Sequence, residues 1–229
     1  MKNILYSLLG LFALSQSAIS QTRENFTLGG LSAFVITPDT PAPGNPWIAY
    51  APSVGGLPSW TGGGAEAWMF DQYFAAGIAV AGIYSGDLSG NPAQRAGYTA
   101  LYTELVGNRG YASKFSFHVR SRGGLLGYNW AADNPDKVAA IGGIYSVANL
   151  LSYPGVGTAA SHYGISTSEL TTNGHLYNPI ERLSGLVANG ICVFHIHGDS
   201  DSVVPIEANT QIVKDYFDAN GGDATLTVI

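Results

Sequence analysis

The alternation of apolar and polar positions divides the chain into short segments of two kinds. FTLGG and SAFVITP read as two early strands, and the turn-rich PDTPAPGNP leads into a third, PWIAYAP. AEAWMFDQYFAA has helical spacing and is followed by the β-type run GIAVAGIY. The helix PAQRAGYTALYTELV then precedes the strand KFSFHV. Helix LLGYNWAADNP gives way to KVAAIGGIYSV, ICVFHI is followed by the helical IEANTQIVKDYFDA, and ATLTVI closes the series. Strands apolar on both faces, alternating with helices, predict an α/β fold with a mostly parallel, doubly wound sheet. Ligands on such sheets bind at the C-terminal ends of the strands. Residues 148–179, rich in Gly, Ser, Thr and Tyr, break the rhythm and read as a small cap insertion over that edge, within one domain spanning 21–229.

Composition narrows the class. The chain has 229 residues, 46% hydrophobic and 11% charged, enough to bury one sizeable core. A net charge of −6, with no basic block, excludes a nucleic-acid footprint and a polybasic membrane patch. Residues 1–20 carry one lysine, an apolar stretch of roughly 10 residues and small residues at Ala18 and Ser20. This pattern predicts an export signal cleaved after Ser20 and a secreted or periplasmic protein. The stretch is shorter than the about 20 residues of a membrane span, so no membrane association is expected after cleavage. Asn25 begins an NFT sequon, relevant only in a glycosylating host. Cys192, the single cysteine, lies in a strand and is expected to be a buried small hydrophobe.

HVRSRGGLLGYNW places a serine between a strand and a helix. Turning that sharply forces Ser121 into a sparsely populated backbone region and needs small neighbours, which Gly123 and Gly124 supply. The outcome is an exposed hydroxyl at a helix N-terminus, where free N–H groups favour negative charge. The N–H of Arg122 points where an oxyanion would form.

VRSRGG resembles the nucleophile elbow of the α/β-hydrolase superfamily, and HGDSDSVVP, from His197 to Pro205, resembles its acid loop. The similarity runs in order through nearly the whole mature chain and is nearest to the secreted esterase and prolyl-oligopeptidase-like branches. It implies a serine hydrolase with no cofactor or metal, with Ser121 as nucleophile and Asp201 as the carboxylate that orients the base. Asp199 competes for that role. Asp201 is preferred because the superfamily places its acid three residues before the Val-Pro pair, here Val204-Pro205, while Asp199 is expected to hold the turn through backbone N–H groups. The second oxyanion donor is expected after PWIAYAP; Pro52 has no N–H, so Ser53 or Val54 is the candidate. One departure stands out: where the superfamily usually has glycine two residues before the serine, this chain has Val119.

The base is the member without a match. The superfamily's order is serine, acid, histidine, yet no histidine follows His197. The reading adopted is a sequence truncated within its last strand, with the histidine beyond it and this chain inactive as it stands. Among internal histidines, core or supporting roles suit His118, His195 and His197, while His162 and His175 belong to the cap region and match no family position.

The sequence admits four other readings. HIHGDSD resembles the HxHxD stem of metallo-β-lactamase-like hydrolases, but the final histidine and downstream ligands are missing. TGGGAEAW lacks the lysine of a phosphate loop. A hydrolase fold reused as a secreted binding module is the main alternative, and a prolyl-oligopeptidase-like peptidase is a second. Arg120 and Arg122 flank the nucleophile and are either substrate-carboxylate ligands or, as preferred here, structural ties to nearby acids. Trp60, Tyr153 and Tyr163 are candidates for stacking on sugar or aromatic groups. The substrate expected is a small-molecule or glycan ester.

Overall fold

The structure is a computed structural model that describes residues 21–52 and 65–229. The expected export signal at 1–20 and positions Ser53, Val54 and Trp60 lie outside the described residues. The strands are β1 (Gln21–Leu28), β2 (Leu31–Pro38), β3 (Trp47–Ala51), β4 (Ala79–Ile83), β5 (Phe115–Arg120), β6 (Val138–Ile144), β7 (Cys192–His197) and β8 (Ala224–Val228). They form one sheet of order β1-β2-β4-β3-β5-β6-β7-β8, antiparallel between β1, β2 and β4 and parallel from β4 to β8. Gly29 and Gly30, at φ of +56° and +85°, close the β1–β2 hairpin in a conformation that only glycine adopts freely.

Helices α1 (Ala65–Ala75), α2 (Pro92–Tyr102) and α3 (Gly123–Asp133) follow β3, β4 and β5, and α8 (Thr210–Ala219) lies between β7 and β8. Residues 148–179 hold the short helices α4 (Val156–Tyr163), α5 (Thr167–Thr172) and α6 (Gly174–Tyr177); α7 (Ser184–Ala188) precedes β7. The long helix read over 206–219 is broken at Asn209, whose side chain accepts from the N–H groups of Ala148 and Asn149 instead of continuing a helix.

Strand side chains sort by parity, as the period of two requires. On β2–β4 and on β5, Val35, Ala49, Ala81, Phe117 and Val119 join the core of α2, α3 and α8, around Trp130 and Phe217. Phe34, Tyr50 and Val80 meet Phe70 and Phe74 of α1 on the opposite face. β3 and β4 are buried throughout, so both faces are covered there.

Away from α1, one face of β7 is left exposed among the described residues. Along β7 the pattern alternates: Val193, His195 and His197 are buried, whereas Phe194 is 47% exposed and Cys192 is exposed rather than buried. Cys192 sits on the face that α1 covers only near β3 and β4. Asp223 beside it holds its thiol above the usual range, away from a reactive thiolate. No helix among the described residues is long and apolar enough to cross a membrane.

The cap-region helices pack on the C-terminal edge of the sheet. Leu150, Ala159, Ala160 and Leu170 bury against Leu125 of α3 and Val204 of the loop after β7. That edge is where the candidate residues converge.

Candidate active site

Ser121 stands where β5 turns into α3, with φ of +50°. This left-handed conformation costs a non-glycine residue about 1–3 kcal/mol and persists only where its surroundings enforce it. The Ser121 N–H donates to the Ile144 carbonyl at 3.1 Å, and the Gly124 and Val147 N–H groups donate to the Ser121 carbonyl at 3.0 and 2.9 Å. Crowding enforces the bend further. A Cβ on Gly123 would lie 1.8 Å from the Ala51 carbonyl oxygen, and one on Gly124 would lie 2.4 Å from that of Val147. Ser121→Gly is expected to raise stability by about 1 kcal/mol, read as a higher urea midpoint at unchanged slope. A midpoint that stays or falls would mean no strain is stored there.

Val119, the departure from the superfamily's elbow, is fully buried, and its place is made by Gly127 of α3. A Cβ on Gly127 would lie 2.6 Å from the Val119 Cγ1. Gly127 thus leaves room for the Val119 side chain where α3 packs on β5, and the bend at Ser121 is kept.

The Arg122 N–H, in the first turn of α3, has no partner among the described residues, which leaves it free to donate to an oxyanion. The contact of Gly123 with Ala51 and Pro52 places the start of the loop after β3 against this turn. Both flanking arginines are tied to acids. Arg120 pairs with Glu66 at the start of α1, which also accepts from the Tyr50 hydroxyl at 2.6 Å. Arg122 pairs with Asp87 at 2.6 Å and lies under the Tyr153 ring at 5.7 Å.

Asp201 lies in the loop after β7, two strand spacings or about 10 Å from the β5 axis, with β6 between. Its Oδ1 accepts from the Val203 and Val204 N–H groups at 2.9 and 2.8 Å, so Asp201 itself holds the turn. The role expected of Asp199 is therefore corrected: among the described residues its carboxylate accepts from the Ser200 hydroxyl and from no backbone N–H, since the turn's N–H groups are taken by Asp201.

The five histidines are placed as follows. His197 is fully buried, with Nδ1 at 2.8 Å from Thr210 Oγ1 and Nε2 at 2.8 Å from the Val204 carbonyl, and Asp201 Oδ2 lies 3.6 Å off. His195 Nε2 is 2.5 Å from the Tyr128 hydroxyl, and His118 Nδ1 is 2.8 Å from that of Tyr73. Burial pushes both His118 and His195 down to about 4; the Glu66 charge opposes this at His118, and His197 adds to it at His195. His162 Nδ1 is 2.8 Å from Ser89 Oγ, and His175 is exposed on α6. No imidazole is hydrogen-bonded to Ser121 among the described residues. In the HIH stem both ring nitrogens of His197 have protein partners, while His195 is held through Nε2 alone and its buried Nδ1 has no hydrogen-bond partner among the described residues.

Of the stacking candidates, Tyr163 donates to the Ser89 and Gly90 carbonyls at 3.2 and 3.0 Å and accepts from Asn129, so it ties the cap region to the loop after β4. Burial pushes its hydroxyl up to about 12. Tyr153 lies against the elbow through Arg122. Two residues that sequence reasoning missed join this edge. Asp87 follows β4 in YSGDLSGN, and that position alone was the available signal. Tyr145, at φ of +38° and 36% exposed, ends β6 between the strands that lead to Ser121 and Asp201. Of the four non-glycine residues at positive φ among those described, Ser89, Ser121 and Tyr145 all lie at the C-terminal edge of the sheet.

No protein-family model matches the sequence, and neither does any curated protein. Solved structures match in fold. Carboxyl esterase 2 from Tuber melanosporum is 15% identical, with TM-score 0.65 over 93% of this chain and 78% of its own. A thermostable esterase from Pseudomonas putida is 14% identical, with TM-score 0.63 over 93% and 73%. The acylaminoacyl peptidase of Pyrococcus horikoshii is 12% identical, with TM-score 0.66 over 94% of this chain. The chain spans 37% of that peptidase's length. The fold is that of the α/β-hydrolases.

Proposed function

We propose that this α/β-hydrolase-fold chain carries the site of an exported serine hydrolase that cleaves carboxylic esters, small-molecule or glycan, through an acyl-enzyme. The observation that carries the reading is Ser121 held at φ of +50° at the mouth of α3 beside the unpartnered Arg122 N–H. In the acylation step Ser121 Oγ attacks the ester carbonyl and its proton passes to an imidazole. The oxyanion is met by the Arg122 N–H and by a second donor from the loop after β3, for which Ser53 is the candidate. The imidazole returns the proton to the departing alkoxide, and water then releases the acid by the same path. Asp201 orients the imidazole and stabilises its charged form.

The five histidines of residues 1–229 are engaged elsewhere or matched to no site position, so the base in this reading is an imidazole from outside them. Free imidazole at high concentration is therefore expected to restore turnover to the 229-residue protein. Hydrolysis of 4-nitrophenyl acetate, corrected for the imidazole background, is expected to need both imidazole and Ser121, and to vanish in Ser121→Ala. Ser121-dependent turnover without imidazole would put the base among the five histidines. No Ser121-dependent turnover under either condition would leave a non-catalytic binding module.

A further inference from the structure

Arg122 places a cation one residue from the proposed nucleophile, and the structure cancels it. The Asp87 carboxylate, from the loop after β4, lies 2.6 Å from the Arg122 guanidinium, and the Tyr153 ring, from the segment after β6, covers it at 5.7 Å. Both partners are only partly exposed, at 24% and 21% of their side chains. Water therefore screens the pair less than it would a surface pair. Among the described residues the other titratable group facing Asp87 is His162, whose Nδ1 is tied to Ser89. The loops that meet here leave the C-terminal ends of parallel strands, the edge at which Ser121 stands half-buried.

We propose that Asp87 is a specificity-determining residue that neutralises Arg122 beside the nucleophile and so restricts the site to esters with no negative charge near the scissile bond. The inference rests on the serine-hydrolase reading above and adds a substrate class to it: uncharged acyl and alcohol groups, such as short acyl esters and acetylated neutral sugars. An elbow arginine without its carboxylate would instead hold a substrate anion in a bidentate pair. Burial raises the Asp87 pKa, opposed by Arg122 and His162, which agrees with a carboxylate sunk into the wall of a site.

The test uses two ester pairs in imidazole-containing, low-salt buffer. In the first the charge is on the alcohol half: 4-acetoxybenzoate against 4-acetoxybenzamide. In the second it is on the acyl half: the mono-4-nitrophenyl ester of adipic acid against the 4-nitrophenyl ester of adipamic acid. Asp87→Asn is expected to raise the anionic-to-neutral ratio of kcat/KM by about tenfold in at least one pair. Arg122→Gln keeps the backbone N–H but leaves Asp87 unopposed, and is expected to lower the same ratio. It carries the test alone if Asp87→Asn does not fold. Ratios within twofold of the parent protein, with Ser121-dependent hydrolysis intact, would overturn the role of Asp87 and leave the hydrolase reading standing. Hydrolysis that persists unchanged in Ser121→Ala would remove both.

Discussion

Gly123→Ala is expected to destabilise the protein by about 3 kcal/mol or more, at the upper end of what overpacking costs. The added methyl would lie 1.8 Å from the Ala51 carbonyl oxygen and 2.7 Å from its carbon, with Pro52 at 3.2 Å. All three are backbone atoms, of the buried end of β3 and of the residue after it, so no side chain can swing away. Relief requires the end of β3 to separate from the start of α3, next to Ser121. Urea denaturation reads the effect as a lower midpoint at unchanged slope. Gly157→Ala is the matched comparison: this glycine is exposed within α4, and a Cβ there meets nothing within 4 Å. Its expected change has the opposite sign, a gain of about 0.5 kcal/mol. Equal small effects at both sites would mean that the elbow is not packed as described.

The second large effect is a loss of stability in mild acid. His118 and His195 are 4% and 1% exposed, and each is pushed down to about 4 by burial. In the unfolded chain the same groups titrate near 6.5. Above pH 6.5 both states hold these imidazoles neutral and nothing is lost. Between pH 6.5 and 4 the unfolded chain takes up protons that the folded one does not, so stability falls as pH falls. By pH 5 the loss is about 2 kcal/mol for each histidine. Urea midpoints at pH 7.5, 6 and 5 are expected to decline steadily over a range in which most carboxylates are still ionised. His195→Gln is expected to show about half that decline, and a flat profile would mean that the two imidazoles are not buried neutral.

What could be read from sequence was what local pattern encodes. The strands at β3, β4 and β5 carry their own periodicity, and the bend at Ser121 is marked by its two glycines between a strand and a helix. The distance to Val204-Pro205 favours Asp201 over Asp199 in sequence, but the turn-holding bonds expected of Asp199 belong to Asp201. Pairings between distant segments were not legible. Val119 is an anomaly until Gly127, on the next helix, is seen to yield the space. Asp87 has no local mark, and its meaning comes from Arg122, 35 positions away in sequence and 2.6 Å away in space. The exposure of Cys192 is hidden from sequence for a related reason. An apolar strand shows which of its faces match, but which face finds a helix depends on where α1 lies.

The central claim is that a strained turn presents the Ser121 hydroxyl as a nucleophile beside a free oxyanion donor. A fluorophosphonate probe, applied in imidazole-containing buffer and followed by peptide mass mapping, tests it directly. The account predicts one adduct per chain, on the peptide containing Ser121, and none in Ser121→Ala. No adduct, or an adduct on another serine that survives in Ser121→Ala, would contradict it.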